Sequence, residues 1–223
     1  MKKTLCLFLL LGVGLCGYGQ SDYSEHTAAP GFAAGDQLFS VFIGMASPRG
    51  KSGVRVGNPG KELAWGDNGV QYGIEGMQFA NPYIGYGLEI SGMNTTYAAK
   101  NVGGVNYRTA MDSWNGLLRL RLNINPYNPV RVYVPVGAGM TYVRSRCYTS
   151  ASSESSVGHS LSFGYFAGVG LETNWTRSGQ SVGLEVRYHG FGFDTDKMLD
   201  GQTASGNKNL GYMSVLLKMN YRF

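Results

Sequence analysis

The C-terminal segment from Met213 to Phe223 alternates without a break. Met213, Val215, Leu217, Met219, Tyr221 and Phe223 share one parity, while Ser214, Leu216, Lys218, Asn220 and Arg222 share the other. Successive side chains of an extended chain point to opposite faces, so this segment has one oily side and one mostly polar side. The same pattern recurs upstream. Leu161, Phe163, Tyr165, Ala167, Val169 and Leu171 alternate with Ser162, Gly164, Phe166, Gly168, Gly170 and Glu172, and Val182, Leu184, Val186 and Tyr188 alternate with Gly183, Glu185, Arg187 and His189. Val130 to Tyr142 and Leu118 to Ile124 behave alike, with Arg131, Tyr133, Gly137 and Gly139, and then Arg119 and Arg121, on the second face. Less regular stretches at Ile84 to Ser91, Val70 to Glu75 and Phe39 to Ala46 bring the expected number of strands to eight. A long loop that hid a further hairpin would raise it to ten.

The connections are of two sizes and take turns. Short polar turns fall at Ala80 to Pro82, Asn125 to Pro129 and Thr176 to Ser181, each rich in Asn, Pro, Gly or Ser. Longer stretches lie between them, at Ser47 to Gly69, Ala98 to Ser113, Ser145 to Ser160 and Asp194 to Leu210. Short turns on one side and long loops on the other mark an antiparallel barrel that crosses a membrane. A water-soluble barrel or sandwich also alternates, but its charged parity faces solvent. Here the second parity is small and Gly-rich, which suits a narrow bore better than a wetted surface. Aromatics also sit near the strand ends: Tyr72, Trp114, Tyr142 and Tyr212 toward the long loops, and Trp175, Tyr221 and Phe223 toward the short turns. Two aromatic girdles imply two interfaces. The expected fold is therefore all-β, an eight-stranded antiparallel up-and-down transmembrane β-barrel.

The N-terminus reads differently. Lys2 and Lys3 precede an uncharged run from Leu5 to Leu15, followed by Gly17, Tyr18 and Gly19. This is the pattern of a secretory signal, expected over residues 1–19 and cut before Gln20. The apolar core is too short to span a bilayer as a helix. Residues 20–36 are then expected as a periplasmic leader, and 37–223 as the barrel. Loss of Lys2 and Lys3 takes the formal charge from +5 to +3. No basic stripe with interleaved aromatics accompanies that mild excess, so nucleic acid is not an expected partner. Cys6 and Cys16 leave with the signal and Cys147 remains, so no intrachain disulfide is expected.

The bore is the nearest approach to chemistry. The inward parity carries Glu75, Glu89, Glu172 and Glu185 together with Arg119, Arg121, Arg131, Arg187, Lys218 and Arg222. Eight strands leave an interior just wide enough for side chains, so these charges are expected to pair as a polar plug. The alternative is a narrow pore for ions or small solutes, whose excess cations would favour anions.

On these residues the chain resembles the small outer-membrane barrels of the OmpA transmembrane-domain and OmpX type. The resemblance is carried by Tyr221-Arg222-Phe223 after alternating Val215, Leu217 and Met219, and by the glycine-rich strands Val136 to Met140 and Ala167 to Leu171. It implies a monomer in the bacterial outer membrane, in contact with outer-membrane lipid. It also implies that Tyr221 and Phe223 form a signal read by the barrel-assembly machinery, and that the loops meet an extracellular ligand. Its motifs specify architecture rather than activity.

Other chemistry is weakly supported. A lipid-modifying barrel enzyme needs a nucleophile, a base and an acid in reach of one another. His189 falls on the inward parity and is followed by Gly190 and Phe191, and His159 beside Ser160 sits at a loop edge. Asp194, Asp196 and Asp200 lack the glycine and terminal glutamate of a calcium loop. No enzyme activity, no cofactor and no metal site is expected. The expected role is structural or one of surface contact.

Overall fold

Extended backbone dominates the residues that the computed structural model describes: 31–49, 54–56, 61–63, 66–96, 98–102, 104–149, 152–174, 179–192 and 209–223. Eleven strands follow in order, namely β1 (Gln37–Arg49), β2 (Val54–Val56), β3 (Lys61–Leu63), β4 (Gly69–Asn81), β5 (Ile84–Thr95), β6 (Ala98–Val102), β7 (Val105–Asn123), β8 (Val130–Thr149), β9 (Ser152–Asn174), β10 (Gln180–Gly192) and β11 (Asn209–Arg222). Eight of them form the wall, in the antiparallel order β5-β4-β1-β11-β10-β9-β8-β7, and pairing of β5 with β7 closes it. A closed sheet has no edge, so every backbone polar group within it is satisfied without water. The seam between the chain ends is tied by Gln37 and Phe223, which exchange backbone hydrogen bonds of 3.0 and 3.1 Å.

Parity and register agree around the wall. Val41 lies opposite Met219 on one side and Ile74 on the other, and Leu118 opposite Leu88 and Ala138. The oily parity faces outward, with Leu118 69% and Leu161 65% exposed. No charged residue interrupts that outward parity between Tyr72 and Ala80 on β4, between Trp114 and Leu122 on β7, or between Val130 and Tyr142 on β8. An exposed apolar band of this extent belongs in hydrocarbon.

The short turns are built by asparagine. Asn81 accepts hydrogen bonds from the backbone N–H groups of Tyr83 and Ile84 at 2.9 and 3.0 Å. Asn125 accepts from the N–H of Val132 and donates to the carbonyl of Val130. Such side-chain bonds mimic the backbone and allow a tight reversal.

At the other end the ladders run further than alternation does. Ala98–Ser113 and Ser145–Ser160, expected as loops, are largely strand: β6 pairs with the start of β7, and β8 and β9 stay in register past Arg146. The polarity pattern fades where both faces leave the membrane, while the backbone ladder continues. The short strands β2 and β3 pair with each other in a separate sheet, and β6 adds to β7 alone, so none of them enters the wall and the count stays at eight.

One girdle assignment is corrected. Tyr72 and Trp114 meet edge-on at 6.0 Å, with Trp114 and Tyr142 exposed on the outside. Tyr212 points the opposite way and is 0% exposed. It shares the parity of Ser214 and Lys218, so its ring lies in the bore. Trp175 lies outside the described residues.

Candidate functional site: the charged bore

Glycines on the inward parity make room for the long side chains beside them. Arg119 lies between Gly87 and Gly137 on the neighbouring strands, Glu185 faces Gly170, Arg187 faces Gly168, and Lys218 faces Gly183. A methyl group on Gly170 would sit 2.1 Å from Cζ of the Tyr133 ring, and one on Gly137 would sit 2.2 Å from Cε1 of Phe166. Without a Cβ at these positions, rings and guanidinium groups lie flat against backbone.

The middle of the bore holds a knot of three carboxylates and three cations. Arg119 reaches Glu75 at 3.0 Å, Glu89 at 2.8 Å and Glu185 at 2.7 Å. Arg187 donates to Glu89 at 2.6 Å and lies 3.4 Å from Glu185, while Lys218 binds Glu75 and lies 3.2 Å from Glu185. Tyr133 donates its hydroxyl to Glu185 at 2.9 Å, and Ser40 donates to Glu75 at 3.0 Å. Glu75 and Glu89 stand directly opposite each other in register, an arrangement that like charges disfavour. The guanidinium of Arg119, ion-paired with both, makes it tolerable. With charge balanced, the knot avoids the penalty of an unpaired buried ion.

Toward the short turns a second group is short of carboxylates. Among the described residues Glu172 is the one carboxylate that serves Arg121 and Arg131, and Ser181 donates to it at 2.7 Å. Aromatic faces make up the difference. The Arg121 guanidinium lies 3.8 Å from the Tyr133 ring centre and 5.1 Å from that of Phe32, and Arg131 lies 5.0 Å from Phe32. Such contacts contribute about 0.5–2 kcal/mol each, more where water is excluded. Phe32 itself stacks on Phe79 at 3.8 Å and clusters with Leu38 and Met77. Arg222 closes this end, donating to the carbonyl of Gly31 at 3.2 Å and lying 3.7 Å from Asp36.

Toward the long loops the bore turns neutral. Gln71 and His189 share a hydrogen bond of 3.2 Å, and the His189 ring stacks on Tyr212 at 4.5 Å. Thr141 donates to Asn115 at 2.8 Å, and Asn115 donates to Ser91 at 3.2 Å. Beyond them Ala46, Met93, Met111, Val143, Phe191 and Leu210 are all buried. The filled bore thus runs from an aromatic stopper through ionic and polar layers to apolar side chains.

Each lumen charge named from the sequence takes part in an ion pair, with Arg222 at the rim rather than in the knot. Tyr133, Ser40, Ser181 and Phe32 were not anticipated as partners. Tyr133 could have been found by its inward parity and its place opposite Gly170. Phe32 precedes the first strand and has no periodic signal. Of the histidines considered for catalysis, His189 contacts Gln71, Phe166 and Tyr212 inside the bore, while His159 pairs with the Tyr142 hydroxyl on the outer rim. Residues Asp194, Asp196 and Asp200 lie outside the described residues.

No protein-family model matches the chain, and no curated protein does. Solved structures do match. The outer membrane protein OprG from Pseudomonas aeruginosa is similar with a TM-score of 0.56 at 15% identity, over 86% of this chain and 98% of that one. The fold is that of the small outer-membrane β-barrels. Ail, the attachment invasion locus protein of Yersinia pestis, matches at 17% identity with a TM-score of 0.46, over 85% of this chain and 99% of its own. Neisserial surface protein A matches at 11% identity with a TM-score of 0.45, over 86% and 99%. In this outer-membrane barrel fold the bore of the present chain is occupied by its own side chains.

Proposed function

We propose that the protein is an integral outer-membrane barrel with a closed, polar-plugged bore, and that it works by surface contact rather than by transport or catalysis. The observation that carries this reading is the filled bore, in which Arg119, Glu185, Arg187 and Lys218 are buried and ion-paired, with Phe32 and Phe79 stacked at the short-turn end. Conduction needs a continuous wet path, and a bore packed with ion pairs and closed by apolar side chains denies one. Walls whose β8–β9 ladder continues beyond the apolar belt suit a stand for recognition loops. In this reading the barrel is a monomer, its loops meet an extracellular ligand, and Phe223 is the residue through which the barrel-assembly machinery recognises the chain. His189 is buried in the bore between Gln71 and the rings of Phe166 and Tyr212, which supports a non-enzymatic reading.

Planar-bilayer recordings of the purified protein test the closed bore. The expected result is a silent membrane at all voltages. Large, steady single-channel steps would reject the plug in favour of a pore, and their anion selectivity would identify the surplus guanidinium groups at Arg121 and Arg131 as its lining.

A further inference from the structure

The chain ahead of β1 doubles back over the short-turn mouth of the bore. Asp36 accepts from the backbone N–H of Ala33 at 2.7 Å, and Gly35 takes a φ of 92°, so a tight turn carries Phe32 inward. That ring is 2% exposed, while Ala33, Ala34 and Gly35 on its outer side are exposed. The cover is therefore one residue thick. Gly35 and Asp36 are tied to Phe79 by backbone bonds of 2.8 and 2.9 Å, but among the described residues no backbone bond ties Phe32, Ala33 or Ala34 to a strand.

What the ring covers is one charge out of balance. Arg121 and Arg131 share Glu172 as their carboxylate, and their other polar partners are the neutral amides of Asn123 and Asn174. Nη1 of Arg121 and Nε of Arg131 are buried with no hydrogen-bond partner among the described residues. Their guanidinium groups stand 5.1 and 5.0 Å from the Phe32 ring centre, and the ring lies in a slot walled by Phe79, 3.8 Å away and 7° from parallel. One residue before the ring, the carbonyl of Gly31 accepts from Arg222 at 3.2 Å. Residues 31 and 32 thus offer the mouth a flat ring and an acceptor oxygen held by a guanidinium, without the negative charge that would balance it.

We infer that this mouth is a binding site for a planar aromatic carboxylate, and that Phe32 to Gly35 form a built-in lid whose ring holds the place of the ligand's. The ligand's ring stacks on Phe79 once the lid swings out at Gly35, and its carboxylate pairs with Arg121 and Arg131, since guanidinium forks match planar acids. A buried guanidinium without a full counter-charge is costly, and a carboxylate relieves more of that cost than a ring face does. The ionic knot of Arg119, Arg187 and Lys218 is a separate cluster with its own carboxylates. The site therefore depends neither on conduction nor on the surface contact proposed above.

Ligand-observed fluorine NMR of the purified protein in an uncharged detergent provides the test, with 4-fluorobenzoate as probe, 4-fluorobenzamide as neutral comparator and protein-free micelles as blank. Phe32→Ala is expected to bind the acid about tenfold more tightly than the parent, whose own ring competes, and about tenfold more tightly than it binds the amide. The double variant F32A/R131Q leaves one guanidinium to one carboxylate and is expected to lose the preference for the acid. Asp36→Ala frees the turn that carries Phe32 and keeps Phe79, Arg121 and Arg131, so it is also expected to bind the acid more tightly than the parent. Heat-dependent gel mobility reports which variants are folded, and if none folds the parent decides, by holding the acid in preference to the amide. Acid and amide held equally, a folded lid variant no tighter than the parent, or an undiminished preference in the folded double variant overturns the site. Displacement of the acid by an equal concentration of inorganic phosphate would also overturn it, because a free anion would then suffice without the ring.

Discussion

Removing the Arg119 guanidinium and then one of its carboxylates has an outcome that ordinary additivity does not give. Arg119→Met leaves Glu75, Glu89 and Glu185 with only Arg187 and Lys218, and strips the bridge from two glutamates that face each other in register. Breaking a buried ion pair by removing one partner costs about 3–5 kcal/mol. Two carboxylates about 5 Å apart in surroundings of effective dielectric about 20 repel by a further ~3 kcal/mol. A second change, Glu89→Gln, removes that repulsion and restores two carboxylates to two cations, with Arg187 still beside Glu185 at 3.4 Å. The double variant is therefore expected to be more stable than Arg119→Met alone by about 3 kcal/mol, although Glu89→Gln in the parent is destabilising. Equilibrium urea unfolding in lipid vesicles, followed by tryptophan fluorescence and by heat-dependent mobility, measures all four proteins. A double variant no more stable than Arg119→Met would refute the balanced-knot account, because the cost would then come from lost packing rather than from uncompensated charge.

Phe32→Ala removes a buried ring that stacks on Phe79 and covers Arg121 and Arg131; a loss of about 3–5 kcal/mol is expected in the same unfolding assay, while bilayer recordings stay silent because the ionic knot is untouched. Gly170→Ala drives a methyl group into the Tyr133 ring, and the overpacking is expected to cost about 1–3 kcal/mol; a companion Tyr133→Phe, which keeps the ring, should not relieve it, whereas Tyr133→Leu should. Single tryptophans at Val186 and Arg187 are expected to differ sharply in quenching by brominated lipid, strong at position 186 and weak at 187, and equal quenching would contradict the assigned parity. Phe223→Ala keeps the backbone bonds to Gln37, so refolding in vitro should be close to that of the parent while the folded fraction recovered from cell envelopes falls if the terminal aromatic guides assembly.

How much of this was legible beforehand differs from residue to residue. The pairing of Glu172 with Arg131 follows from parity once β8 and β9 are in register, because the two stand directly opposite. Tyr212 was readable too: counting back from Phe223 puts it on the polar parity, and its aromatic character at a strand end misled the girdle assignment. Lys218 and Glu75 are another matter. They are separated by 143 positions, and β1 lies between their strands in the wall. The position of Phe32 beneath Arg121 and Arg131 likewise has no trace in local pattern, since the residues around it do not alternate.

Alternation, turn chemistry and the sorting of charge onto one parity are properties of neighbours along the chain, and they were enough to determine a membrane-spanning antiparallel wall with an oily outside and a charged inside, while the choice of eight strands over ten waited on the pairing that leaves β2, β3 and β6 outside it. Closure decided the rest. Only when β5 met β7 did the stagger of the strands fix which glutamate lies level with which arginine, which glycine gives way to which ring, and what seals the short-turn end. The physical reason is that these contacts cross a bore whose width and shear are collective quantities of all eight strands, so no single strand contains them.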